Sequence, residues 1–362
     1  MRKTALAGLV ALSLAGCAAP VGAFINPGDE TQAVVGPALD ELSQQPVLGY
    51  DGSIPDLAGT GAVAQIDLDV TQDGTAHGTG SVADSEIEIA HLQEALLISG
   101  PKGFWSDYVG VDSAYAKKID GKWTQLDPTL GLNPATVLAP AEYAKVLRYA
   151  MEDAQTLDVA LPEPEDRDGS QVYPLAVGEG FVYVTVEAPH TVVAVTDVVV
   201  ELDAGPADLS VTVADAGYVE TFQGRFVDAV DGMSTIYDNG VDLAVDESDI
   251  EFDCNSSDFS CKLSLKAKGQ LSANYHLADR VKFTMKAEVK GGSLGTKKCD
   301  DSSTADLGKN AKLSCTVKFT PSVGEYSIEP TWLTTGVATH KPDIEEWSKS
   351  LVEEFGTILS TY

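Results

Sequence analysis

The chain reads as an α+β protein: an antiparallel sheet with helices on one face, then a small β-sandwich of Ig-like kind and a C-terminal helix. Three observations predict this. From Gly61 onward, strand-like alternation gives way to helical spacing and then returns, which is the order of an α+β layer. From Cys254 to His340 short alternating runs follow one another, separated by Gly and Asp turns, as in a sandwich. The charge also breaks between the two regions. Residues 18–253 carry 8 Lys and Arg against 42 Asp and Glu, whereas residues 254–362 carry 14 against 13. Such a break separates domains. The expected partition is a signal peptide over 1–16, a tether over 17–35 and a first domain over 36–225. An acidic linker over 226–253, a sandwich over 254–340 and a terminal helix over 341–362 complete it.

Arg2 and Lys3 precede a short apolar run, Ala5 to Leu14, too short to span a bilayer. This is the layout of a secretory signal. Its cleavage region, Leu14-Ala15-Gly16-Cys17, resembles the bacterial lipobox. The resemblance implies cleavage before Cys17 and attachment of a diacylglycerol to its thiol. Two or more acyl chains hold a protein to a bilayer without basic residues, so an anchored chain can carry a formal charge of -31. The expected location is the extracytoplasmic face of the cell-envelope membrane.

Residues 18 to 35 are small and polar, and Pro37 to Ser43 predict a short helix. In "AVAQIDLDVTQDGTAHGTGSV", Ile66, Leu68 and Val70 share one face, with a turn at Asp73-Gly74. "SEIEIAHL" and "EALLIS" continue as hairpin strands, the first with one wet face. Phe104, Trp105, Tyr108 and Trp123 bracket a helical turn over Ala114 to Ile119. Asn133-Pro134 starts a helical stretch as a cap followed by Pro. Tyr143, Val146, Leu147, Ala150, Met151 and Ala154 then form one apolar stripe. Strands resume with "FVYVTVEA", "TVVAVTDVVVEL" and "LSVTVADAGYVE". At the end, Ile344, Trp347, Leu351, Phe355 and Ile358 share a helical face that should pack on protein.

A secretory route is thiol-unprotected, so Cys254, Cys261, Cys299 and Cys315 are read as disulfides. Of three pairings, the sequential one, Cys254 with Cys261 and Cys299 with Cys315, closes the two short loops and is preferred. Without a C-x-x-C pair or a histidine cluster, zinc is disfavoured, and no metal or cofactor is expected.

No enzyme is expected, and no catalytic residue is assigned. Gly291 to Gly295 fits G-x-S-x-G around Ser293, but no helix pattern follows, as a nucleophile elbow requires. The two G-x-G-x-x-A runs at Gly59 and Gly78 lead into strands, not into a phosphate-binding helix. "EPEDRDGSQ" lacks a calcium loop's first and last ligands. The acids between Asp242 and Asp253 read as solvated linker. His77, His91, His190, His276 and His340 show no ligand spacing. The acidic balance excludes nucleic acid as a partner.

The segments "DLDVTQDGTAHGTGSV", "EIEIAHLQEALLISGPKGFW" and "KKIDGKW", within residues 37–223, resemble actinobacterial lipid-carrier lipoproteins of the LppX/LprG kind. That resemblance implies a strongly curved antiparallel half-barrel with helices on its concave face. It also implies an apolar cavity for the chains of a lipid or glycolipid. The chain departs from the family at Leu97-Ile98-Ser99, where an aromatic residue, Val and Lys are usual. It departs again in its second domain, which looks like the disulfide-bonded sandwich modules of secreted actinobacterial proteins. Ile87, Ile89, Leu96, Ile98, Phe104, Trp105, Trp123, Val146, Leu147 and Met151 are the residues expected to line the cavity. A closed core would use the same residues, because periodicity does not separate core from pocket wall. In that alternative the protein is a non-enzymatic scaffold, and its sandwich docks another envelope protein.

Overall fold

A computed structural model describes residues 27–57, 59–126, 131–200, 205–238, 244–270, 276–322 and 327–362. The expected signal peptide and Cys17 lie outside these residues. The first element is helix α1 (Pro27–Gln44), where the sequence predicted a tether to residue 35 and a shorter helix after it. Pro27 and the acids Asp29 and Glu30 suit a first helical turn. Val34, Val35, Ala38, Leu39 and Leu42 form a buried stripe. Packing of that stripe outweighs the penalty for Pro37 inside the helix.

An antiparallel meander follows: β1 (Val47–Ile54), β2 (Ala64–Thr71), β3 (Ala76–Val82), β4 (Ser85–Leu92) and β5 (Ala95–Gly100). A π-helical turn, Phe104–Tyr108, and α2 (Ser113–Ile119), capped by the Asp112 carboxylate, lead to β6 (Lys122–Gln125). Asn133 caps α3 (Pro134–Val137), and α4 (Pro140–Asp153) carries the predicted apolar stripe. Five further strands run as β7 (Glu165–Arg167), β8 (Ser170–Val177), β9 (Gly180–Thr185), β10 (Val192–Val199) and β11 (Pro206–Val213). Asp215 caps α5 (Ala216–Asp231).

The remainder is β12 (Ile236–Asp238), β13 (Ala244–Asn255), β14 (Ser260–Gln270), β15 (Arg280–Lys290), β16 (Thr296–Asp306), β17 (Asn310–Lys318), β18 (Glu329–His340) and α6 (Ile344–Leu359). The stretch expected as an acidic linker, 226–253, instead holds the end of α5, all of β12 and most of β13. Three-residue β12 welds the two parts. It pairs in parallel with β6 (Tyr237 opposite Thr124) and antiparallel with β18 (Tyr237 opposite Thr339). Among the described residues, one open curved sheet therefore runs β16-β15-β18-β12-β6-β5-β4-β3-β2-β1-β11-β10-β9-β8-β7.

Two glycines let β3 lie close against its neighbour. On β3, a Cβ at Gly78 would stand 2.1 Å from the Asp67 carbonyl oxygen, and one at Gly80 would stand 2.7 Å from that of Gln65. Only glycine permits so close an approach of neighbouring strands. The inner face is covered by α1, the π-helical turn, α2, α3 and α4, which share one apolar cluster with the strands. On the outer face lie α5 and α6, where Phe222, Phe226, Trp347, Leu351 and Phe355 pack on Val47, Leu97 and Trp123.

A second sheet, β13-β14-β17, stacks on the β16-β15-β18 end of the first. Leu263, Leu265, Phe283, Met285 and Leu313 fill the space between them. The disulfides are the sequential pair. Cys254–Cys261 staples neighbouring positions of the β13–β14 hairpin. Cys299–Cys315 joins β16 to β17, and so one sheet to the other. A loop of this length is worth about 3 kcal/mol in the chain-entropy model.

Candidate functional site

The inner face of the half-barrel is assembled by strand alternation. Ile87 and Ile89 of β4 and Leu96 and Ile98 of β5 point the same way, with Ile89 directly opposite Ile98. Gly100 ends β5, and the π-helical turn then folds Phe104 and Trp105 back over the strands. The rings of Phe104 and Trp105 meet edge to face at 4.9 Å, and the Trp105 Nε1–H donates to the Gly100 carbonyl at 3.0 Å. From the lid, α4 contributes Leu147 and Met151, with Val146 half-buried at the margin.

Nine of the ten residues expected to line a cavity thus lie in or against one cluster. Trp123 does not. On β6, Thr124 turns inward, as does Leu126 just beyond it, and Trp123 turns outward, under α5 and α6. A one-residue slip exchanges the faces of a strand, and a four-residue run such as "KWTQ" leaves its phase open.

At the centre of the inner cluster Ile89, Ile98, Phe104, Trp105, Leu147 and Met151 are all 0% exposed, so no water-sized space borders them, while Ile87 and Leu96 keep 4% and 5% exposure. Between α1 and α4 the lid has a seam, which opens to solvent as a groove of about 550 Å³ lined by Gln32, Val35, Arg148, Glu152 and Leu157. The seam is bridged on its outer side by an exposed Arg148–Asp40 ion pair at 2.8 Å. The α1 hydroxyl of Thr31 also donates to the Val159 carbonyl at 2.5 Å.

Two tyrosines interrupt the apolar interior. Tyr50 on β1 and Tyr143 on α4 meet edge to face at 5.4 Å. Tyr50 donates to the Leu138 carbonyl at 2.6 Å. Tyr143, fully buried, has no hydrogen-bond partner for its hydroxyl among the described residues. Burial raises both phenol pKa values, so both stay neutral donors. In the sequence Tyr143 was one more member of the α4 stripe, and nothing in its spacing marked the hydroxyl as unpaired.

On the outer face, Asp69 is 1% exposed and accepts from Tyr218 and Arg225 of α5. Burial pushes its pKa up, and the Tyr218 and Arg225 contacts pull it back only in part. Glu354 of α6 accepts from the hydroxyls of Thr71 and Thr75, both at 3.2 Å, and burial likewise raises its pKa. These bonds fasten α5 and α6 to the sheet across more than 140 residues of chain. Asp67 and Asp69 look alike in the alternating sequence, so the fastening was not legible there.

Each histidine has a local partner. His77, His276 and His340 lie against Glu88, Asp238 and Asp279, and the Nδ1 atoms of His91 and His190 face the carbonyls of Gly74 and Thr185. No group of three potential metal ligands occurs among the described residues. Ser293 sits in a 3-10 turn, Gly292–Leu294, that leads straight into β16. No helix among the described residues is long and apolar enough to cross a membrane.

No protein-family model and no curated protein matches the chain. Among solved structures it is similar to the crystal structure of LprF from Mycobacterium bovis, at 11% identity and a TM-score of 0.31. The likeness covers 53% of this chain and 99% of that one.

Proposed function

We propose that the protein is a lipid-anchored envelope protein whose half-barrel takes up an acyl-chain lipid between its inner face and the α1–α4 lid. Cys17 would supply the anchor, and two disulfides suit the oxidising side of a membrane. One observation carries the lipid reading: the lid helices and the sheet share one large apolar cluster, from Val34, Leu39 and Leu147 to Ile66, Ile89 and Val195. An acyl chain inserted there exchanges one apolar contact for another. Each buried CH2 contributes about 0.8 kcal/mol toward parting the helices. The packed cluster is then the resting form, and the α1–α4 seam is the place of entry.

A second reading is favoured by the filled interior itself. In it the half-barrel is a solid support, and the sandwich docks a neighbouring envelope protein. Extraction of the protein, purified from its own membrane, with organic solvent and mass analysis of the extract separates the two. Lipid released in stoichiometric amount, beyond that bound covalently at Cys17, supports uptake. No such lipid, with no uptake of a fluorescent acyl lipid by the delipidated protein, leaves the scaffold. Cys17→Ala should move the protein from the membrane fraction to the soluble one. Persistence in the membrane fraction would refute the anchor.

A further inference from the structure

Among the described residues, the one side-chain polar atom of the inner cluster without a partner is the Tyr143 hydroxyl, and it points to the chemistry of what enters. We propose that Tyr143 is the internal hydrogen-bond donor for the ester carbonyl of an acyl lipid lodged between α4 and the sheet, an inference that rests on the lipid-uptake reading above. Phenylalanine would keep the edge-to-face contact with Tyr50 at 5.4 Å. The hydroxyl is therefore not needed for that contact, while a buried donor left unpaired is a standing penalty. Tyr50 shows the contrast, since its hydroxyl is satisfied by the Leu138 carbonyl.

The surroundings select the ligand group. Burial keeps the Tyr143 phenol neutral, so it offers a proton and needs an acceptor. Among the described residues no Lys or Arg side chain is buried. On α4 the cations Lys145 and Arg148 lie outside, against Glu142 and Asp40. A carboxylate or phosphate drawn inside would be an unpaired buried charge, which is strongly unfavourable. An ester carbonyl accepts a hydrogen bond without charge, and the chain it carries suits the apolar inner face.

Calorimetric titration of the delipidated protein with methyl decanoate, decyl methyl ether and decanoate tests this. The wild type should bind the ester about tenfold more tightly than the ether, and more tightly than the carboxylate. Tyr143→Phe should bind ester and ether nearly equally, while Tyr50→Phe keeps the wild-type preference. An ester preference unchanged in Tyr143→Phe would overturn the assignment of the hydroxyl and leave lipid uptake standing. Tighter binding of decanoate than of its methyl ester would overturn the choice of an uncharged group. Binding of none of the three by the wild type would remove the uptake reading, and this inference with it.

Discussion

Removing a single oxygen from either of two touching tyrosines should change the stability of the ligand-free protein in opposite directions. Tyr50 and Tyr143 are both buried, 1% and 0% exposed, in the same cluster. Tyr50→Phe deletes a hydrogen bond of 2.6 Å and leaves the Leu138 carbonyl to find another donor. A net hydrogen bond is worth about 0.5–1.5 kcal/mol, and its loss costs about 1–3 kcal/mol where the buried partner is left unsatisfied. The expected loss is about 1–3 kcal/mol. Tyr143→Phe deletes a hydroxyl that bonds nothing described, so it removes a desolvation penalty of the same order, about 1–3 kcal/mol, and should stabilise. The two variants should differ from each other by about 2–6 kcal/mol. Urea denaturation of the delipidated protein, followed by circular dichroism, reads the difference as a shift of midpoint at constant slope. A Tyr143→Phe variant less stable than wild type would show that the hydroxyl has a partner in the resting state. The reasoning about its ligand would then fail as well.

Two further outcomes concern the outer face. Phe355→Ala removes a ring packed edge to face on Phe222 at 4.9 Å, and should destabilise by about 3–5 kcal/mol with early hydrogen exchange along α6. A loss below about 1 kcal/mol would mean that α6 is not part of the cooperative core. Glu354 has a raised folded pKa, so between the unfolded value, near 4, and the raised one the native state holds more protons than the unfolded state. Its contribution to stability is therefore most favourable below about pH 4 and declines as pH rises through the folded value. Glu354→Gln should gain on wild type in stability as pH is raised from about 4 to 7, and a gain in the opposite direction would refute the sign.

Some of the molecule is written in short-range pattern. Alternation located most of the strands, because a half-buried strand repeats every second residue whatever it pairs with. The spacing of Tyr143, Leu147 and Met151 located α4, and that of Trp347, Leu351 and Phe355 located α6, for the corresponding helical reason. Loop closure favoured the Cys254–Cys261 and Cys299–Cys315 pairs, and both form. Helix α1 starts ten residues before Pro37, the residue type that favours a helix's first turn. A long apolar stripe tolerates such a residue once it has a sheet to pack against.

What the amino-acid order determined by itself was therefore local: which segments are strands or helices, where the charge changes, and which cysteines are near neighbours. Only the tertiary structure decided how β12 joins two expected domains into one sheet, which face Trp123 takes, that the helices of the lid pack into one cluster with the sheet, and that the Tyr143 hydroxyl has no partner among the described residues while Asp69 is clamped by Tyr218 and Arg225. Periodicity records a side chain's direction relative to its own element. Partners such as Asp69 and Tyr218, 149 residues apart, meet only when the whole chain has packed.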